Sequence, residues 1–105
     1  MSDHVPQVLD EAGSSRYEVW LDGMLVGSAR YVRRGRRTFF VHTEIEPAHE
    51  GAGLGATLVA GALDAEQTAG TLVVPLCPFV RTYIDRHPEY VDLVDGELLA
   101  QIDAT

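Results

Sequence analysis

Residues 43–76, TEIEPAHEGAGLGATLVAGALDAEQTAGTLVVPL, decide the fold. The segment opens on the end of a strand, RTFFVHTEIE, rich in β-branched and aromatic residues and ended by Pro47. Glycines 51, 53 and 55 then lead into an alanine- and leucine-rich run, a composition that favours helix. Leu54, Leu58 and Ala62 fall on one helical stripe, with Val59 and Leu63 beside it, and Gly70 stands where a helix ends. TLVVPL follows as a short, continuously apolar strand of the kind buried on both faces. Strand, helix and strand in this order predict a right-handed crossover that sets the second strand parallel to the first.

Towards the N-terminus, Tyr17, Val19 and Leu21 alternate with Glu18, Trp20 and Asp22, which is strand period. Asp22-Gly23 is a tight hairpin turn, because both central residues of that turn need positive φ. A second strand runs from about Met24 to Val32, and Arg34-Gly35 marks the next turn. Strict alternation along the third strand puts Phe40, His42 and Glu44 on one face. Phe39, Val41, Thr43 and Ile45 take the other. Towards the C-terminus, Pro78 fits the first turn of a helix, PFVRTYIDRH, that stops before Pro88. EYVDLV reads as a short strand or turn, and DGELLAQIDA as a last turn or two of helix. The expectation is an α+β fold: a three-stranded antiparallel sheet followed by helix, parallel strand and helix. It forms one compact domain over residues 15–105 behind a polar lead-in over 1–14.

The chain has 105 residues, enough for one modest core. Eight basic against sixteen acidic residues give a net charge of −8, which argues against nucleic-acid binding. An anionic ligand must then be held by local features. No stretch is long and apolar enough to span a bilayer, no apolar leader opens the chain, and one cysteine forms no internal disulfide. A cytoplasmic protein is expected. The histidines and cysteine show no metal-ligand spacing.

Two readings of the glycine loop are open. Its backbone N–H groups can converge on an anion at the helix N-terminus, a diphosphate being the natural guest, or the glycines merely let the turn bend and the helix pack closely. No Lys-Ser or Lys-Thr follows, so this is not a Walker loop. It follows an antiparallel hairpin, which makes it a poor dinucleotide fingerprint. Cys77 is equally double. With Pro78 as the first helical residue, its sulfur is at the positive end of a helix dipole, with Arg81 four residues on. The other reading is a small buried apolar residue. Arg33 to Arg37 could meet a ribose phosphate or an acidic partner but reads first as a solvated hairpin tip, His49 could touch a phosphate but reads first as an exposed loop residue, and Trp20 reads as core or sheet-face packing. His87 complements a helix end.

HEGAGLGATL after TEIEP resembles the coenzyme A pyrophosphate loop of the Gcn5-related N-acetyltransferase (GNAT) superfamily. PLCPFVRTYIDRHPEYVDLV resembles the end of its small, single-domain members of the YjdJ type. The likeness spans about residues 15–95. It implies a GNAT-like fold that binds acetyl-CoA, with the diphosphate on the amides of Gly51, Ala52, Gly53, Leu54, Gly55 and Ala56. The pantetheine arm would run beside Thr43, Glu44 and Ile45. Within that frame His42 is a candidate base, Tyr83 a candidate acid for the leaving sulfur, and Cys77 a residue of the acetyl pocket, with two routes open: acetyl taken up by its thiol before transfer, or direct attack by the amine. For His42 the alternative is a half-buried strand residue, for Tyr83 a helix residue packed on the sheet, and Glu44 reads rather as a sheet-surface or loop-anchoring residue. The chain departs from larger members at Glu50, where they usually carry Gln or Arg, and in lacking their N-terminal helices. Two functions follow: an acyltransferase moving acetyl from acetyl-CoA to an unidentified amine, or a non-catalytic module that binds coenzyme A or a protein.

Overall fold

The computed structural model describes residues 5–104. These form a mixed five-stranded sheet in which neighbours in sequence are neighbours in space. Its antiparallel part is β1 (Gln7–Glu11), β2 (Arg16–Leu21), β3 (Met24–Arg34) and β4 (Arg37–Ile45). Helix α1 (Leu54–Ala69) then crosses to β5 (Leu72–Pro75), which pairs parallel to β4 as the crossover rule requires. Helix α2 (Pro78–Arg86), a 3₁₀ segment (Pro88–Leu93) and α3 (Gly96–Asp103) complete the chain. Strand β1 lies inside the segment read from sequence as a lead-in. Its apolar content is slight, with Val8 and Leu9 flanked by polar residues, so its pairing to β2 was not written in its pattern. Among the described residues, no helix is long and apolar enough to cross a membrane.

The core forms where the apolar stripe of α1 meets one face of the sheet. Leu54, Leu58, Val59, Ala62 and Leu63 are buried against Tyr17, Val19, Ala29, Tyr31 and Phe40. Each buried leucine is worth roughly 2 kcal/mol of transfer free energy, so this stripe rather than helix propensity holds α1 in place. Val80 and Ile84 bring α2 into the same core. Asp22 (φ 52°) and Gly23 (φ 77°) make the β2–β3 turn as expected.

Two bulges break strict strand alternation. In β4, Arg30 faces His42 while Tyr31 faces Phe40, so Val41 is left unpaired. The extra residue reverses the face count. Phe40, expected beside His42 and Glu44, instead lies in the core on the face of Thr43 and Ile45, while His42 and Glu44 stay exposed on the other face.

The arginine run is exposed, and Arg34 and Arg36 at its turn are solvated as expected, but its two ends are engaged. Arg33 donates to the buried carboxylate of Glu66 at 2.8 Å and lies 4.2 Å over the Tyr31 ring, and Arg37 pairs with Asp95 at 2.7 Å. Glu66, fully buried on α1, also accepts from Tyr17, from Thr38 at 2.5 Å and from Thr71 at 2.6 Å. That one carboxylate ties α1 to β2, β3 and β4. Burial alone would raise its pKa, but these donors outweigh desolvation and hold it below the usual carboxylate range.

Candidate functional site

Strand β5 pairs with β4 only from Arg37 to Phe40. The chain then turns away, and the amides of Leu76 and Cys77 both donate to the Phe40 carbonyl, at 3.0 and 2.8 Å. Residues 41–45 of β4 are left with an open edge on the β5 side. The Glu46 amide donates to Val26 of β3. By the antiparallel pattern, Thr43 and Ile45 then occupy non-hydrogen-bonded positions, and their peptide groups point into the opening.

A cleft of about 490 Å³ fills this opening, walled by Thr43 and Ile45, the loop from His49 to Ala56, and Phe79. The loop is shaped by glycine where no other residue fits easily: Gly51 and Gly53 hold φ of 85° and 77°, and Gly53 caps α1. The first loop-to-helix bond runs from the Thr57 amide to the Gly53 carbonyl at 3.1 Å. The amides of Gly53, Leu54, Gly55 and Ala56 therefore have no acceptor among the described residues. Gly55 has a different reason to be glycine. A Cβ there would stand 2.5 Å from Cζ of Phe79, so the ring lies directly over its backbone. Nδ1 of His49 is buried with no hydrogen-bond partner among the described residues. His49 is thus not the exposed loop residue its sequence position suggested.

Of the expected site residues, Thr43, Ile45, Gly51, Gly53, Leu54, Gly55 and Ala56 line this one cleft. Ala52 belongs to the same loop, its amide donating to the His49 carbonyl at 3.4 Å. Cys77 is the N-cap of α2, buried, with Sγ 3.4 Å from Thr43 Oγ1. Arg81 does not face the thiol. It donates to the Pro75 carbonyl at 3.3 Å and pairs with Asp103 of α3 at 3.2 Å.

His42 and Glu44 pair at 2.9 Å on the face of β4 away from α1. Glu44 lines a second cleft of about 490 Å³ with Glu46, Glu50 and Arg16, and this cleft shares Thr43, Ile45 and Glu50 with the first. Arg16 is already spent on Glu18 at 2.7 Å, so the second cleft is net acidic.

Tyr83 lines a third cleft, of about 430 Å³, which shares Ala56 and Phe79 with the glycine cleft. Its ring stacks on His87 at 3.9 Å between centroids. Burial, then the carboxylates of Glu89 and Asp64, push its pKa up, so it stays protonated at neutral pH. The Nδ1 of His87 must carry a proton, because it meets the Tyr83 carbonyl at 2.8 Å.

An open strand edge beside a glycine loop and a bare helix N-terminus form one joint site. A family model described as GCN5-related N-acetyl-transferase matches residues 16–93. The chain belongs to this GCN5-related N-acetyltransferase family. The match takes in β2 through the 3₁₀ segment, and hence the whole glycine cleft. No curated protein matches the chain. Phe79 and Arg86 line these clefts without having been assigned from the sequence, whereas the place of His49 beside the loop had left a phosphate contact open.

Proposed function

We propose that the chain is an acetyl-CoA-dependent N-acetyltransferase acting on an amine. The observation that carries this reading is the row of amides from Gly53 to Ala56 without acceptors, set beside the open edge of β4. Family members typically use acetyl-CoA. The residues present fit it: the bare amides suit a diphosphate, and the orphaned Nδ1 of His49 offers one further polar contact in the same cleft. Main-chain groups of Thr43 and Ile45 suit the amides of a pantetheine arm. The guest supplies an activated acetyl thioester.

The protein contributes position and proton handling. The acidic cleft across β4 suits a cationic amine, which must lose a proton before it can act as a nucleophile. The His42–Glu44 pair stands on that side, within the strand that flanks the arm, and takes that proton. Cys77 does not line the cleft; its sulfur lies against Thr43, which does. Among the described residues no histidine or carboxylate bonds this sulfur, so attack by the amine itself is favoured over transfer through the thiol. The donor role expected of Tyr83 is not carried into this reading, because its ring lies in the neighbouring cleft beyond Phe79.

Titration calorimetry with acetyl-CoA tests the site, followed by thioester loss over a panel of polyamines and lysine peptides. Binding with turnover is expected. Binding without turnover on any amine leaves the non-catalytic module, which the carboxylate of Glu50 at the cleft mouth favours. No binding overturns the proposal.

A further inference from the structure

The acidic cleft has two unlike sides. Glu44, Glu46 and Glu50 line it from β4 and the chain beyond, and Arg16 and Ser28 line it from β2 and β3. Arg16 is held in place. Its Nε and Nη2 both lie 2.7 Å from one oxygen of Glu18, and the other oxygen accepts from the Trp20 indole at 3.0 Å. Glu18 is 4% exposed, although it sits between the core residues Tyr17 and Val19 and so points to the sheet face away from α1. A buried carboxylate is costly unless donors surround it. Here the donors do so, and the same bonds fix the guanidinium at the cleft wall. The pairing balances the charge of Arg16 but does not use all its donors: Nη1 has no partner among the described residues. A planar guanidinium with a free nitrogen, already ordered by another group, suits a carboxylate. A phosphate dianion is a poorer guest, because three glutamates line the same cleft.

The register sets the length of the guest. Glu18 is paired with Ser28, and Ser28 with Glu44, so one row of residues crosses three strands. At about 4.8 Å between neighbouring strands, the arginine held on Glu18 stands roughly 10 Å from Glu44 at backbone level. An α-amino group beside its own carboxylate does not span that distance. An amine at the end of an aliphatic stem does, and Leu25 and Pro47 give the stem an apolar wall. We infer that the acceptor is a free amino acid whose aliphatic side chain ends in an amine. Arg16 and Ser28 hold its carboxylate, and the far nitrogen, beside Glu44, is acetylated. This rests on the N-acetyltransferase reading above and names its substrate class. The ammonium gives one proton to the His42–Glu44 pair. The free amine then forms the C–N bond as the C–S bond of the thioester breaks, and its surplus proton goes to the departing thiolate, which leaves as coenzyme A.

Initial rates of coenzyme A release from acetyl-CoA test this, with the full chain and acceptors matched in all but the carboxylate. ε-Aminocaproate should exceed pentylamine about tenfold in kcat/KM, the size of one charge-assisted hydrogen bond at a partly exposed arginine. Lysine should exceed cadaverine, its counterpart without the carboxylate, and should carry the acetyl group on its side-chain nitrogen. Arg16→Gln should bring the first ratio close to one, and Arg16→Lys should keep part of it. Glu18→Gln leaves the arginine charge but loosens its hold, so it should lower the ratio chiefly through a higher KM for ε-aminocaproate. Arg30 pairs with Arg16 across β2 and β3 without lining the cleft, and Arg30→Ala should leave the ratio intact. Each ratio is taken within one variant, so altered folding does not mimic the effect. Equal turnover of the wild-type pair, faster turnover of cadaverine or of a lysine inside a peptide, or a preference that survives Arg16→Gln overturns the inference and spares the N-acetyltransferase reading. So does an equal loss of preference in Arg30→Ala, which marks general electrostatics. No turnover of any amine takes down both.

Discussion

Glu66→Gln is the substitution that tests how the sheet and α1 are joined. The carboxylate is fully buried and accepts from Tyr17, Thr38, Thr71 and Arg33. Glutamine keeps the shape but offers one acceptor oxygen, and its NH₂ group meets hydroxyl and guanidinium donors. Hydrogen bonds to a charged group contribute about 1.5–3 kcal/mol each, and an orphaned buried donor costs about 1–3 kcal/mol. The hydroxyls can turn to find other partners, and Arg33 keeps Asp10 at 3.1 Å and is partly exposed. Their losses are therefore discounted, leaving a destabilisation of about 3 kcal/mol. A chain of this length has roughly 5–15 kcal/mol in all, and the change corresponds to a fall in Tm of about 12 °C or more. Urea unfolding followed by circular dichroism reads it as a lower midpoint at unchanged slope. The pH dependence provides a second check. The folded-state pKa of Glu66 is lowered, so its contribution is fully present above the unfolded value near 4.5 and is lost as pH falls through the lower folded value. Glu66→Gln should flatten that acid limb. A midpoint within about 0.5 kcal/mol of wild type, with the acid limb intact, would refute the claim that this carboxylate joins the layers.

Three further substitutions probe the cleft and the edge strand. Cys77→Ala should reduce stability by about 1 kcal/mol through a small cavity while acetyl-CoA binding and amine turnover stay within about threefold; a loss beyond about a hundredfold would restore the thiol as nucleophile. Gly55→Ala gains about 1 kcal/mol in helix propensity, but its Cβ would displace the Phe79 ring from 2.5 Å. Weaker coenzyme A binding without a matching fall in Tm is expected by calorimetry and thermal unfolding, and unchanged affinity would show that the ring plays no part. Gly61→Ala drives a Cβ to 2.8 Å from Val8, which should loosen β1 and speed amide exchange there. The pair Gly61→Ala with Val8→Ala should restore protection, and failure to do so would place the strain elsewhere.

How far the sequence could be read depended on the range of the interaction that fixed each feature. The β2–β3 turn, the loop glycines, the end of α1 at Gly70 and the start of α2 at Pro78 are local, and each was legible in a few residues. The crossover followed from chirality. Strand β1 was not legible, because its stability comes from Val8 packing over Gly61 and from Tyr31 bonding Asp10 at 2.5 Å, contacts with residues far along the chain. The bulge at Val41 was hidden for a related reason. One unpaired residue leaves the composition of a strand unchanged but reverses every face beyond it, so Phe40 went to the core and left His42 and Glu44 outside. The same bulge lies where β5 stops following β4, so the opening that a ligand needs and the misread faces have one origin. Arg33 and Arg86 complete the lesson. Arg33 was read as surface charge and Arg86 was not assigned, yet one is consumed by a buried carboxylate and the other lines an aromatic wall. An arginine's function is set by which acids the fold brings to it.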